Sequence, residues 1–354
     1  MFSCFNHPTL ACLFPTLQVR TPITDIRDLL QTEPQAANPL AICLANRDFL
    51  WEKGPLKHTS LPHNVDTSTT ASDYPQGSFM SETLVMCTPE SFSINYEINP
   101  WMQHQTGHLS IELAVAQWHR LFDLLSSLAE IKLMHGSPLW PDLVFTANAG
   151  LPLTREKKFI LSSFKHPQRQ GEKIINRAWF EDAGWVCIDL PDGAIFEGAG
   201  DALFDSSGRL WVGYGPRSDD TIKAHLAQHI ATPILPLKLV DPRFYHLDTC
   251  FCPLPDGYAL FLPTAFDENS CQLIANGFGD KLISLTPEEG LQFCANAVCV
   301  GKAIILNQTT PRLKKLLVDV GFSVLQTPLS EFMKSGGSAK CLTLSLDGWS
   351  TRHD

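Results

Sequence analysis

Phe196-Glu197-Gly198-Ala199-Gly200-Asp201-Ala202-Leu203-Phe204-Asp205-Ser206-Ser207-Gly208-Arg209-Leu210-Trp211-Val212-Gly213 opens on a Gly-x-Gly and continues as two apolar runs around a Ser-Ser-Gly turn. The glycine pair invites a dinucleotide-binding reading, which needs a third glycine at position 203 and a helix after it. Position 203 is Leu, and Ala202–Asp205 with Leu210–Gly213 reads as a hairpin instead. The Rossmann fingerprint therefore fails. Glu197 and Asp201 flank the glycines at the head of a strand, a placement suited to gripping a cation and equally compatible with a solvated turn.

A short helix is expected over Thr221–His229, and the same order recurs on both sides. Upstream, Leu84–Cys87 reads as a strand and Ser110–Leu133 as an amphipathic helix. Leu143–Thr146 and Phe159–Leu161 read as strands, and Glu172–Ala183 as a helix stopped by Gly184. Downstream, Thr249–Pro253 and Tyr258–Leu262 flank the turn Pro255-Asp256-Gly257, and a helix is expected near Pro287–Ala295. Strand Ala303–Leu306 precedes a helix that starts at Pro311 and stops at Gly321, before strands Ser323–Gln326 and Leu342–Leu346. Hairpins are too frequent for a doubly wound sheet. The alternation, about five times over, predicts an α/β body of ββαβ units around an axis. His58–Gly77 is polar and Thr/Ser-rich with two prolines, so residues 1–80 read as an extension and linker, and 81–354 as the folded domain.

Composition narrows the function. Net charge is −10 and no basic run is interleaved with aromatics, so nucleic acid is not an expected partner. No apolar run reaches the length of a membrane span. The eleven cysteines lack Cys-x-x-Cys pairs, and His225 and His229, four apart, have no third ligand beside them, so no metal is expected. No P-loop and no Gly-x-Ser-x-Gly elbow occurs. No secretory signal is visible, which favours a cytoplasmic protein with reduced thiols. The first two dozen residues lack acidic side chains, which leaves organelle targeting by the extension open.

The remaining chemistry gathers in a few strand heads and loops. Gly336-Gly337-Ser338-Ala339-Lys340-Cys341 delivers one cysteine to an apolar run, with Lys340 beside it to favour thiolate. On its own this reads first as a buried structural cysteine. In Tyr245-His246-Leu247-Asp248-Thr249, an extended backbone puts His246 and Asp248 on one face, an acid/base beside a substrate anchor. Asn99 and Asn148 sit in loop segments where turn chemistry alone would explain them. Thiol plus histidine suggests covalent catalysis, and several carboxylates around them suggest a cationic electrophile such as a guanidinium.

Phe196–Asp201, Tyr245–Thr249 and the Gly336-Gly337 to Cys341 segment resemble the guanidine-modifying, amidinotransferase-like superfamily. It includes arginine deiminases, dimethylarginine hydrolases and arginine:glycine amidinotransferases. The resemblance spans roughly residues 82–347 and implies the pentein fold, a five-bladed α/β propeller of ββαβ units. Tyr96–Met102, Phe145–Gly150 and Arg169-Gln170-Gly171-Glu172 look closest to the arginine dihydrolase catalytic domain. By this resemblance Cys341 is the nucleophile and His246 the acid and base. Glu197 and Asp248 clamp the guanidinium with Asn148, Asn99 and Arg169 hold the amino-acid end, and Asp201 and Arg217 support the site. The implied enzyme needs no cofactor, takes arginine or a related guanidine, and releases ornithine, ammonia and carbon dioxide. Deiminases carry Asp where this chain has Asn148, a departure that argues against a plain deiminase; a deiminase giving citrulline is kept as the alternative. Transfer of the amidino group to an amine and silent arginine binding also remain open, as does homo-oligomerisation.

Overall fold

The computed structural model describes residues 82–347. The expected extension and linker over residues 1–80, and the ends of the predicted 81–354 domain, lie outside the described residues.

Strand β1 (Thr83–Cys87) is followed by helix α1 (Ile111–Ser126) and by β2 (Glu130–Met134), which pairs parallel to β1. Ser110 caps α1 by accepting from the Leu113 N–H, and Ala114, Trp118, Leu121 and Leu125 form its buried stripe. The next unit is β3 (Gly150–Leu153) antiparallel to β4 (Lys158–Leu161), then α2 (Glu172–Asp182) and β5 (Val186–Ile188) parallel to β4. The same order repeats in β6 (Ala202–Phe204), β7 (Leu210–Tyr214), α3 (Ile222–Leu226) and β8 (Ile234–Lys238). It repeats again in β9 (Phe251–Pro253), β10 (Ala259–Phe261), α4 (Glu268–Phe278) and β11 (Leu282–Ser284). The last copy is β12 (Val298–Val300), β13 (Ala303–Leu306), α5 (Pro311–Asp319) and β14 (Ser323–Gln326). Finally β15 (Leu344–Ser345) adds antiparallel to β1, so the end of the described chain completes the sheet that its beginning started.

The result is five three-stranded sheets of ββαβ type, the expected five-bladed pentein architecture. Leu84, Leu151, Leu203, Phe251, Val298 and Leu344, drawn from all five sheets, line one axial cavity of about 150 Å³. The first strands of the units therefore converge on an axis, and whatever precedes each of them is carried there too.

Several local expectations are corrected. The helix predicted over Ser110–Leu133 ends at Ser126, where the Ser126 and Ser127 hydroxyls bond back to Asp123 and Leu124 carbonyls. The apolar pattern continues past it only because β2 follows. Leu143–Thr146 is not a strand: Pro141–Val144 and Thr146–Asn148 are single 3₁₀ turns. The helix near Pro287–Ala295 stops at Leu291, and the crossover helix of that unit is α4. His246 is extended, but Leu247–Thr249 turns, so His246 and Asp248 do not share a strand face. Of the Leu342–Leu346 run, only Leu344–Ser345 pairs as strand.

Candidate active site

Polar residues precede the first strand of four sheets and the closing strand of the remaining one. They are Asn148 before β3, Asp201 before β6, Asp248 before β9, Asn296 before β12 and Cys341 before β15. Three of these heads are 3₁₀ turns, which bend the chain inward before the strand begins. The glycines of the second turn are required by crowding. A Cβ on Gly200 would lie 2.3 Å from Asn148 Nδ2, and one on Gly198, at φ +66°, would lie 2.8 Å from the Gly150 nitrogen.

Cys341 is 3% exposed, with its Sγ 3.4 Å from Asp248 Oδ2 and 3.1 Å from Asn296 Nδ2. Burial pushes the thiol well above its ordinary range, and the Asp248 carboxylate pushes it further. Lys340, expected to favour thiolate directly, acts instead on Asp248, partly offsetting the burial that raises that carboxyl to about 7. Above about pH 7, where Asp248 is ionised, the pair is a thiol donating to a buried carboxylate.

His246 Nε2 lies 2.6 Å from Glu197 Oε2. Burial opposes ionisation of Glu197, but the Arg217 guanidinium and His246 outweigh it and hold the carboxyl below its usual range. An ionised carboxylate only accepts, so Nε2 carries the hydrogen and Nδ1 is the nitrogen left for proton transfer. Arg217 donates to the same Glu197 oxygen at 2.9 Å and to the Ile98 carbonyl, with its guanidinium 4.5 Å from the Tyr245 ring centroid. Asp201 stands behind them. It accepts from Ser218 Oγ at 2.6 Å and from the Leu247 N–H, while Ser218 Oγ accepts from the Glu197 N–H.

At the other flank, Arg169 makes a bidentate pair with Glu172 at 2.7 and 2.9 Å. It also donates to Asn148 Oδ1 at 3.0 Å and to the Asp142 carbonyl. Asn148 Nδ2 donates to the Glu197 carbonyl, which ties the two flanks together. The Asp142 carboxylate accepts from Tyr96 Oη at 2.9 Å, and burial raises it despite Arg169. Asn99 is committed to structure: Oδ1 caps the turn Pro100–Met102 and Nδ2 donates to the Ser335 carbonyl.

Cys341, His246, Asn148, Asn99, Arg169 and Arg217 line one cavity, together with Asp142 and Tyr245. Its volume is about 10 Å³, room for one water, so a ligand of amino-acid size requires the lining to part. Glu197, Asp201 and Asp248 are at most 1% exposed and sit behind that lining. All nine residues singled out from the sequence thus converge, six on the cavity and three behind it. Sequence reasoning missed Asp142 and Asn296, and it gave Glu172 as a helix start and part of a resemblance motif without a role in the site. The Arg169–Glu172 spacing of three was a legible pairing signal. So was the repeat of Ala147-Asn148-Ala149 as Ala295-Asn296-Ala297. Among the described residues, no cluster of three or more His, Cys, Asp or Glu side chains is arranged for a metal ion, and no helix is long and apolar enough to cross a membrane.

Asp248 makes the site costly to the fold. Its carboxyl is raised to about 7 in the folded chain, against roughly 3.9 unfolded. Between those values the folded state binds more protons, so stability falls as pH rises from about 4 to 7. Asp248→Asn is expected to raise stability by about 2–4 kcal/mol at pH 8, with the gain shrinking toward pH 4. Thermal unfolding at the two pH values checks this, and an equal effect at both would remove the buried-carboxylate argument.

A family profile described as N,N dimethylarginine dimethylhydrolase, eukaryotic, matches residues 88–347. The bifunctional arginine dihydrolase/ornithine cyclodeaminase AgrE of Nostoc sp. is 46% identical over 262 residues, covering 73% of this chain and 37% of AgrE. The chain therefore spans little more than a third of that relative's length. The N(G),N(G)-dimethylarginine dimethylaminohydrolase of Mycobacterium tuberculosis is 32% identical, covering 74% of this chain and 84% of that protein. Among solved structures, the substrate-bound N-terminal domain of ArgZ, a cyanobacterial arginine dihydrolase, superposes with a TM-score of 0.74. It is 44% identical and covers 75% of this chain and 98% of that one.

Proposed function

The chain belongs to the N,N dimethylarginine dimethylhydrolase family, and we propose that its site hydrolyses the guanidino group of free arginine to ornithine, ammonia and carbon dioxide. The observation that carries this reading is Cys341 Sγ paired with the Asp248 carboxylate at 3.4 Å, at a cavity that also meets His246 and Asn148. A protonated thiol beside a buried anion is a poor nucleophile. A guanidinium brought against Asp248 neutralises that anion and favours the thiolate, so the substrate's own charge switches on the attack.

Sγ gives up its proton to His246 Nδ1 and adds to the guanidinium carbon, His246 passes that proton to one terminal nitrogen, and ammonia leaves an S-alkylthiouronium on Cys341. His246 then takes a proton from water as its oxygen adds to the same carbon. That carbon now bears sulfur, hydroxyl, one amino nitrogen and the alkylated nitrogen. Loss of sulfur gives citrulline. Loss of ammonia gives a thiocarbamate on Cys341, and a second water releases a carbamate that loses carbon dioxide to leave ornithine. Two waters are consumed and two ammonia released.

Asn148 biases that partition. A carboxylate there would hold the remaining amino nitrogen by charge, whereas a neutral amide lets it depart. Arg169 and Arg217 bring two guanidinium charges to receive the α-carboxylate, and Asp142, held by Tyr96, suits the α-ammonium. Glu197 takes a different role from the clamp expected of it. Its oxygens already serve His246, Arg217 and the Lys165 N–H, so it fixes the histidine rather than the substrate.

Support for arginine over its dimethylated form comes from the higher identity to the arginine dihydrolase relative. Incubating the purified protein with arginine, with no other amine present, is expected to yield ornithine. Ornithine formed only after an amine is added would indicate amidino transfer, and calorimetric binding without product would indicate a silent arginine binder. Faster release of dimethylamine from dimethylarginine would replace the substrate assignment.

A further inference from the structure

The fifth sheet contributes to the site only through Asn296, and this fully buried amide spends all its hydrogen-bonding capacity around the nucleophile. Oδ1 accepts from the Ser338 N–H at 3.1 Å and the Cys341 N–H at 3.2 Å. Nδ2 donates to the Asp248 carbonyl at 3.0 Å and to Cys341 Sγ at 3.1 Å. Two backbone donors fix which end of the amide is oxygen, so the end facing sulfur is the donor. An amide needed only to stitch the loop would have no reason to aim its second hydrogen at Sγ.

We propose that Asn296 is a catalytic residue that stabilises the Cys341 thiolate through its Nδ2–H while its Oδ1 holds the cysteine loop in register. The inference rests on the reading of Cys341 as the nucleophile, and it supplies what that reading lacks. Asp248 at 3.4 Å opposes ionisation, Lys340 acts on Asp248, and Tyr245 and His246 border the same cavity. The Ser338 N–H also favours the thiolate, and Asn296 adds to it the side-chain donor in contact with sulfur. A hydrogen bond to the charged form lowers a pKa whether or not substrate is present. Asn148, its counterpart at the head of β3, contacts Arg169 instead, so the two amides divide the work between substrate and nucleophile.

Two variants separate thiolate stabilisation from loop positioning. Asn296→Asp keeps the acceptor for both backbone N–H groups but loses the donor to sulfur and adds charge. Asn296→Ser loses the donor and stays neutral. The rate of iodoacetamide alkylation is followed against pH on the Cys341 peptide by mass spectrometry, alongside kcat/KM for arginine and the thermal midpoint. Both variants are expected to shift the alkylation profile upward by about 1–2 pH units. A drop in kcat/KM of about 10- to 100-fold should accompany it. If Asn296→Asp does not fold, the shift must appear in Asn296→Ser, and if Asn296→Ser does not fold, it must appear in the neutral Asn296→Ala. An unshifted profile in a folded variant overturns the proposal, and so does a shift confined to Asp, which reports added charge alone. Because alkylation needs no turnover, this test succeeds or fails separately from the arginine assignment.

Discussion

Cys341→Ser is expected to abolish the proposed turnover of arginine, with a loss of at least about 10⁴-fold in kcat. A serine hydroxyl is too weak an acid to be ionised by the incoming cation, and here it would face the Asp248 carboxylate that opposes ionisation in any case. The loop itself survives the change. Its position depends on the Ser338 and Cys341 backbone N–H groups bonding Asn296, and on the Cys341 carbonyl accepting from the Ala147 N–H. Arginine is therefore expected still to bind the variant, because Arg169, Arg217 and Asp142, proposed to receive its amino-acid end, are untouched. Calorimetry with single-turnover assays checks both halves, and a variant turning over at near wild-type rate removes the nucleophile assignment.

Glu197→Gln is the second large effect. The substitution leaves Arg217 buried without its ionic partner and replaces the acceptor-only carboxylate beside His246 with a neutral amide that can accept or donate, so the imidazole tautomer is no longer fixed. Breaking a buried pair from one side costs about 3–5 kcal/mol of stability. Turnover falls as well, by about 10²–10³-fold, through loss of a correctly held acid and base. How the loss divides is informative. A residue that orients the histidine lowers kcat and leaves KM near its original value, whereas a guanidinium clamp raises KM first. A mainly KM-directed effect would restore the clamp role read from the sequence.

The hairpins were legible because their turns are local: Ser206-Ser207-Gly208 and Pro255-Asp256-Gly257 specify reversals without help from the rest of the chain. Helix α5 was legible for the same reason, with Thr310 as cap, Pro311 in its first turn and Gly321 at φ +91° after its end. Helix α4 was not. It ends in Asn276-Gly277-Phe278, which reads as a turn, yet a Cβ on Gly277 would lie 2.7 Å from the Trp211 ring. The glycine admits a tryptophan from a different sheet, and nothing adjacent in sequence announces it. Leu143–Thr146 misled for a related reason. Its apolar run is buried as a turn beneath β1, where Thr146 Oγ1 donates to the Val85 carbonyl.

The site was legible through resemblance and through residue type, less so through geometry. Cys341, His246 and Asp248 carry chemistry that attracts notice in any sequence. Asn296 carries none by itself; the Ala-Asn-Ala repeat hints at it, and its role becomes readable when five sheets bring their strand heads to one axis. The placement of Glu197 behind His246 likewise depends on Arg217, twenty residues away and across a strand pair.

Arginine labelled with ¹⁵N at both terminal guanidino positions tests the central claim most directly. Ammonia, ornithine and citrulline are quantified together over the course of the reaction. The proposed dihydrolase, with a neutral amide at Asn148, is expected to release two labelled ammonia for each ornithine, with no free citrulline accumulating. One labelled ammonia per arginine, with the second label retained in citrulline as the stable product, would contradict it.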